Sequence, residues 1–324
     1  MQIHQIARSA TALQQPVDED ALREQLEQQL QGETVCDVTE IATGHFNNTY
    51  RVCTEQAAYI LKVAPAPNAN VFYWERRLMQ RERSVATTLR AASPLVPEYL
   101  SFFAVAGRDA FLQPCAEGTV WHEVSDSLSA AENDRLWKQL GPFARQLHSV
   151  EGDSFGFPSP TQRFGRWSQF IADNVAGMAE DCRRLDVLTS EVEAYLQHLP
   201  QFHAELDRVT TPRLLHGDLW PRNVIIGGTG DDIHIEAVID GERAFWGDPL
   251  SDWVLILYGV PEGFWQGYGT NLLAATDPVR IVIYKGMYFM LNILEASRSG
   301  EASDQPRALL AEVNRQLAGF RARC

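Results

Sequence analysis

Long apolar runs are scarce in this sequence. The longest, at 253–258 and 287–291, fall far short of the roughly 20 residues a membrane span requires, so no spanning helix is expected. Residues 1–11 lack the basic run followed by an apolar core that marks a secretory signal, and the expectation is a cytoplasmic protein. Cysteine is sparse too. Five residues, Cys36, Cys53, Cys115, Cys182 and Cys324, are scattered without a C-x-x-C pair, which argues against a disulfide framework and against a zinc site. Positive charge is in deficit: 28 Lys and Arg against 42 Asp and Glu leave a formal charge of −14. That balance repels a phosphate backbone, and no Lys/Arg stripe with interleaved aromatics offsets it, so nucleic acid is not expected as a partner. An acidic surface would attract a cationic small molecule, although solubility accounts for the same balance. There is no internal repeat and no low-complexity segment.

What the chain does have is length and patterning. Its 324 residues, 45% hydrophobic and 22% charged, suffice for two core-bearing lobes. Asp18 ahead of 21–30 reads as an N-capped helix. Two β-rich runs, 34–41 and 49–53, flank a loop of Ala42, Thr43, Gly44, His45, Phe46, Asn47 and Asn48. A third strand at 59–63 carries Lys62 between apolar neighbours and ends at a proline-containing break. Residues 72–91 suit one long helix, followed by β-like pieces at 99–105 and 110–113 with a turn at 107–109. Beyond Glu117 and Gly118 the texture becomes helical: Ser129 with Glu132 makes a capping box, and Leu136, Leu140, Phe143 and Leu147 fall on one helix face. The expected architecture is α+β, a small β-rich N-lobe over 1–114 and a larger helical C-lobe over 115–324, joined near 113–118.

The densest chemistry is the run His216, Gly217, Asp218, Leu219, Trp220, Pro221, Arg222, Asn223. An apolar strand at 224–226, a glycine-rich turn at 227–230 and a second strand at 233–239 follow it and end at Asp240. Phosphoryl transfer needs a carboxylate that orients the acceptor hydroxyl and takes its proton, together with oxygen ligands for Mg²⁺ on the phosphates. Asp218 suits the first task, and Asn223 and Asp240 suit the second. A loop followed by a hairpin can bring all three to one metal cluster. Singly, each is an ordinary turn former. Together, beside apolar strands, they are not, because unpaired carboxylates there cost on the order of several kcal/mol without a cation.

This segment resembles the catalytic and metal motifs of the aminoglycoside phosphotransferase and choline kinase superfamily, kin of the protein kinases, in which H-G-D-x-x-x-x-N precedes an apolar hairpin and I-D. The resemblance extends over most of the chain. It implies a bilobal protein-kinase-like fold, with ATP or GTP and Mg²⁺ between the lobes and a small-molecule hydroxyl as acceptor. It further implies that Asp218 is the catalytic carboxylate, that Asn223 and Asp240 hold the metal, and that Lys62 meets the α- and β-phosphates with Glu82 as its helix partner. Glu75 stays open as that partner, since seven residues are two helical turns and both glutamates lie on nearly one face. Gly247, Asp248 and Pro249, with Asp252 behind them, match a G-D-P-x-x-D motif, although an N-cap followed by proline also explains Asp248. The loop with Gly44, Asn47 and Asn48 resembles the family's reduced nucleotide loop. Gln113 and the hinge after it would meet the adenine, with Cys115 or Ala116 donating, because Pro114 has no N–H. His45 and His148 have no assigned part in this scheme.

Trp220 stands where serine/threonine protein kinases carry a lysine, which argues against a protein substrate. The same run is similar to the H-G-D-L-W of ketosamine kinases, although Pro221 and Arg222 depart from their glycine-containing continuation. The acidic charge leans toward a cationic aminoglycoside-like or amino-sugar acceptor, with Asp173, Glu180 and Asp181 as candidate contacts. A ketosamine or amino-alcohol kinase is the alternative. A non-catalytic nucleotide-binding module would lack the lysine, the base or a metal ligand, and none of these is missing.

Overall fold

The structure, a computed structural model, describes residues 1–44 and 46–322; His45 and Cys324 lie outside the described residues. The N-terminal part is built on a six-stranded sheet of β1 (Gln2–His4), β2 (Val35–Glu40), β3 (Asn48–Thr54), β4 (Ala58–Val63), β5 (Ser101–Val105) and β6 (Arg108–Pro114), in the order β1-β2-β3-β4-β6-β5. Every neighbouring pair is antiparallel except β1 with β2. β1 was not expected: three residues carry too short a pattern to read. The β5–β6 turn falls at Ala106 (φ 48) and Gly107 (φ 75), the left-handed pair that a tight right-twisted hairpin demands.

One face of this sheet is covered by α1 (Glu19–Gln29), whose first turn is capped by the Asp18 carboxylate accepting from the Ala21 N–H at 2.9 Å. Leu22 and Leu26, four apart and so on one side of the helix, are fully buried with Val38, Tyr50, Val52 and Leu61. Each such leucine contributes about 1.5–3 kcal/mol.

The long helix expected over 72–91 is broken. A 3₁₀ turn, Tyr73–Glu75, is followed by Arg77 at φ 60, and only then by α2 (Leu78–Ala92). Side-chain bonds explain the break. The Tyr73 N–H is taken by Asp181, and the Glu75 carboxylate accepts from the Phe72 N–H at 2.8 Å while Arg298 grips its two oxygens at 2.5 and 2.6 Å. These partners belong to helices far along the chain, and they outcompete the local helical pattern.

The helical part contains α3 (Trp121–Val124), α4 (Ala130–Ser149), α5 (Trp167–Arg184), α6 (Ser190–His198), α7 (His203–Leu206), α8 (Glu262–Tyr268), α9 (Leu272–Ala275), α10 (Pro278–Ser299) and α11 (Asp304–Arg321). The Ser129/Glu132 capping box opens α4, and Leu136, Leu140, Phe143 and Leu147 are all buried. None of the described helices is long and apolar enough to cross a membrane. The four described cysteines are free thiols.

Helices α4 and α8 meet backbone to backbone. A Cβ on Gly141 would lie 2.3 Å from the Phe264 carbonyl oxygen, and one on Gly267 would lie 2.1 Å from that of Lys138. Gly141→Ala therefore prises the two helices apart. The expected result is a loss of about 1–3 kcal/mol in urea denaturation, and an unchanged midpoint would show that the crossing has slack.

Candidate active site

The site is assembled by two strand pairings. β8 (Arg213–Leu215) feeds the loop His216 to Trp220, a 3₁₀ turn (Pro221–Asn223) follows, and β9 (Val224–Gly227) pairs antiparallel with β10 (His234–Val238) on one side and β7 (Thr119–Val120) on the other. The register places Val224 opposite Val238, and the Ile239 N–H donates to the Asn223 carbonyl at 2.9 Å. Asn223 and Asp240 therefore sit at the same open end of one hairpin. The chain then turns through Gly241–Arg243 into β11 (Phe245–Gly247), which returns to pair with β8, Phe245 opposite Leu215. That closure presses residue 243 against the loop: a Cβ on Gly217, which stands at φ 76, would lie 2.1 Å from the Arg243 carbonyl oxygen.

Asp218 is held on several sides. Its N–H donates to His216 Nδ1 at 3.3 Å, and Asn223 Nδ2 donates to both its carbonyl (2.8 Å) and its Oδ2 (2.9 Å). Burial holds the His216 imidazole below its usual pKa, which favours the neutral ring that this acceptor role needs. With the Asn223 amide nitrogen engaged, its Oδ1 is the atom left to a ligand. Asp240 adopts φ 66, ψ 58, a left-handed conformation that Asp visits more readily than most residues, and its carboxylate meets the Lys62 ammonium. No three His, Cys, Asp or Glu side chains cluster as a self-sufficient cation site among the described residues. An amide oxygen and a carboxylate are the hard donors that Mg²⁺ accepts when water and phosphate oxygens complete its octahedron, so the pair fits that ion.

Lys62 is buried on β4, between Thr49 of β3 and Phe111 of β6. Its ion-pair partner is Asp240, not Glu82 as expected. Glu82 is buried behind it and accepts from the Tyr99 hydroxyl at 2.7 Å; burial pushes its carboxyl up to about 7, against the pull of nearby Lys62. Glu75 drops out of the competition, because Arg298 and the Phe72 N–H occupy it and the break at Arg77 removes it from the α2 face.

These residues border a cleft of about 1350 Å³ between the sheet and the helical part. Gly44, Asn47, Lys62, Gln113 and Ala116 line it from one side, and Asp218, Trp220, Asn223 and Asp240 from the other. Two expected nucleotide contacts lie elsewhere. Asn48 is fully buried in a bracing network, donating to Glu40 at 3.0 Å and accepting from Arg108 at 2.5 Å. The Cys115 N–H donates to the Ala58 carbonyl at 2.9 Å as a last rung of the sheet, which leaves Ala116 as the hinge residue facing the cleft. The loop itself is tied down: Gln14 Nε2 donates to the carbonyls of Gly44 (2.6 Å) and Asn47 (3.1 Å), and the Asn47 amide donates to Glu242 across the lobes.

The expected acidic acceptor contacts also lie outside the cleft. Asp173 accepts from the Tyr73 hydroxyl, Asp181 holds Tyr73 and Arg184, and Glu180 pairs with Arg183 at the surface. Asp248 caps Leu250 at 3.2 Å and anchors Arg280 (2.6 Å) and the Tyr284 hydroxyl (2.7 Å). His148 gains a partner, with Nε2 3.5 Å from buried Asp252. Cleft residues without a place in the sequence scheme include Arg81, Glu242 and Arg243. The last two were visible as a charged pair directly after Asp240.

Comparison with known proteins gives a consistent picture. Residues 37–283 match the family model described as the phosphotransferase enzyme family. A probable ketoamine kinase of Synechocystis sp. is 28% identical over 49% of this chain and 56% of its own length. One of Enterococcus faecium is 25% identical over 64% of this chain and 71% of its own length. The chain thus spans little more than half of the first relative. Among solved structures, a Haemophilus somnus protein described as a candidate fructosamine-3-kinase superposes with TM-score 0.66 at 16% identity, covering 92% of this chain and 97% of its own. The aminoglycoside phosphotransferase APH(4)-Ia gives 0.66 at 14% identity, covering 93% and 98%. These two likenesses establish a shared bilobal kinase-like fold.

Glu82 generates a pH prediction. Its folded pKa is raised, so between about 4.5 and 7 the folded chain holds a proton that the unfolded chain releases. Its contribution to stability is complete below the unfolded pKa and is lost as pH rises through about 7. Glu82→Gln cannot ionise, so relative to the parent it should gain on the order of 2 kcal/mol at pH 8 over pH 5. Urea denaturation at both pH values measures this, and an unchanged pH slope in the variant refutes it.

Proposed function

The chain belongs to the phosphotransferase enzyme family, and from that premise we propose that it moves the γ-phosphoryl group of ATP or GTP onto a hydroxyl of a ketoamine-type amino sugar. The observation that carries this is the convergence of Lys62, Asp218, Asn223 and Asp240 on one interlobe cleft. The nucleotide would lie against Gly44, Asn47 and Gln113, with its phosphates toward Lys62. In the transfer, the bond from the acceptor oxygen to the γ-phosphorus forms as the bond to the β,γ-bridging oxygen breaks, and the acceptor proton passes to Asp218. Asn223 Oδ1 and Asp240 would hold Mg²⁺, which would supply neutralisation of the charge on the transferring group. Asn223 also orients the base: its Nδ2 bond to Asp218 Oδ2 leaves Oδ1 to face the hydroxyl.

The acceptor class rests on the sequence relatives. All four curated proteins matched, those of Synechocystis, Enterococcus faecium and two Escherichia coli strains, carry the name of ketoamine kinase. The aminoglycoside enzymes match at 14–18% identity and share the fold alone. Trp220, which lines the cleft two residues after the base, supplies a flat apolar face of the kind that packs against a sugar ring.

The assignment is tested by offering ketoamines, amino sugars, aminoglycosides and amino alcohols with ATP and Mg²⁺ and reading phosphorylation by mass spectrometry. With the best acceptor, Asp218→Asn should lower kcat by about 10²–10⁴ while leaving nucleotide affinity and melting temperature near the parent values, since an amide keeps the shape but cannot take the proton. A variant with the parent kcat would remove Asp218 as the base. Asp240→Ala should weaken nucleotide binding as strongly as EDTA does; equal calorimetric affinity with and without EDTA would remove the metal site.

A further inference from the structure

Gln113, near the end of β6, is 6% exposed and lines the cleft. The other buried amides among the described residues all have their nitrogen engaged. Gln14 donates to loop carbonyls, Asn47 to Glu242, Asn48 to Glu40, Asn174 to the Met287 sulfur and Asn223 to Asp218. The Gln113 side chain has no hydrogen-bond partner among the described residues. Buried polar groups are as a rule paired, so an amide kept free on the wall of a cleft marks a place for a ligand.

Its position says which part of a ligand it meets. Ile60 stands opposite Gln113 and Lys62 opposite Phe111, so Gln113, Ile60 and Lys62 share one face of the sheet. Gln113 is two residues along from the Lys62 row, roughly 7 Å at the rise of a strand. With phosphates at Lys62, that is the direction of the base. Aliphatic side chains wall the cleft on both sides: Ile41 and Ile60 from the sheet, Ile225 and Ile239 from the helical part, all four only partly buried. Covering their remaining apolar surface with a flat ring is favourable.

The backbone beside Gln113 has few donors to give: Pro114 has no N–H, and that of Cys115 is spent on the Ala58 carbonyl. The side-chain amide supplies a donor and an acceptor side by side. The edge of adenine that carries the 6-amino group and N7 is its complement, a donor next to an acceptor. Guanine presents two acceptors there, O6 and N7. Turning the amide over does not rescue guanine, because the amide oxygen then faces the other acceptor.

We propose that the Gln113 side chain reads the base: Oε1 accepts from the 6-amino group of adenine and Nε2 donates to N7, so that ATP is the phosphoryl donor and GTP is disfavoured. This rests on the assignment of the cleft as a phosphotransferase site and names the nucleotide it uses. The selection is made by a side chain along the N7 edge of the base. It therefore depends on two base atoms that can be changed one at a time.

Calorimetry on the full chain with Mg²⁺ compares ADP, GDP, IDP and 7-deaza-ADP, which carry no γ-phosphate to transfer. ADP should bind about 10- to 100-fold more tightly than GDP, as for an amide bidentate to adenine. IDP has O6 and N7 without the 2-amino group of guanine, and it should bind as weakly as GDP. 7-deaza-ADP lacks the N7 acceptor and should bind about 3- to 10-fold more weakly than ADP, the worth of one neutral hydrogen bond. Gln113→Met, close in shape and without either polar atom, should bring the ADP-to-GDP ratio toward one, read beside its melting curve. Equal affinity for ADP and GDP, IDP or 7-deaza-ADP binding like ADP, or a ratio that survives Gln113→Met overturns the proposal. If Gln113→Met unfolds, the four affinities of the parent chain decide alone. Binding of none of the four counts against the phosphotransferase assignment itself, a different result from nucleotides that bind without regard to base.

Discussion

A one-residue slip of β10 against β9 would turn Ile235 and Val238 out of the core and carry Asp240 away from Asn223. The Asn223 and Asp240 pair depends on that register. Asn223 enters the hairpin and Asp240 leaves it at the same open end, so the pairing of apolar strands decides where two oxygen donors stand. The second pairing, β8 with β11, then fixes Asp218 against residue 243. Both pairs lend side chains to the cleft, Ile225 and Phe245. Their buried valines and isoleucines supply the rigidity that a carboxylate, an amide and a guanidinium need to hold their mutual distances.

The polar groups of the cleft compensate one another. Lys62 lies on Asp240, and Asn223 lies on Asp218. Each would otherwise be a desolvated charge or dipole with no partner, at a cost on the order of 1–3 kcal/mol or more. On the proposed binding mode a nucleotide would exchange partners and not fill bare charges, its phosphate oxygens taking the place of Asp240 at Lys62. Glu82 waits behind Lys62 with its carboxyl poised near neutrality, where a modest change in the lysine's surroundings alters its proton.

The features legible in the sequence were those whose partners lie close along the chain. Asp218, Asn223 and Asp240 are separated by one loop and one hairpin, and the strands between them announce themselves as apolar runs. The capping box at Ser129 and the buried face of α4 are equally local. What escaped was decided at long range. Residues 72–77 leave the helical pattern because Asp181 and Arg298, more than 100 and 220 positions on, take their polar groups. Asn48 looked like a phosphate donor and is instead claimed by Glu40 and Arg108. The Cys115 N–H is consumed by a strand neighbour at Ala58. Propensity and spacing do not report such competition, because the competing acceptor comes from another part of the chain.

Net charge is a poor guide to the cleft for the same reason. A formal charge of −14 describes the field at a distance, and at physiological ionic strength that field decays over roughly 8 Å. A ligand inside the cleft feels the groups that line it. There the acids are largely engaged: Glu75 with Arg298, Asp240 with Lys62, Glu242 with Asn47, while Asp173, Glu180 and Asp181 face other tasks outside. Arg243 lies 3.7 Å from both Asp218 and Glu295, so it too stands among carboxylates. Solvent screens the exterior charge while protein encloses the cleft, so a ligand there answers to the residues that line it and not to the chain's overall balance.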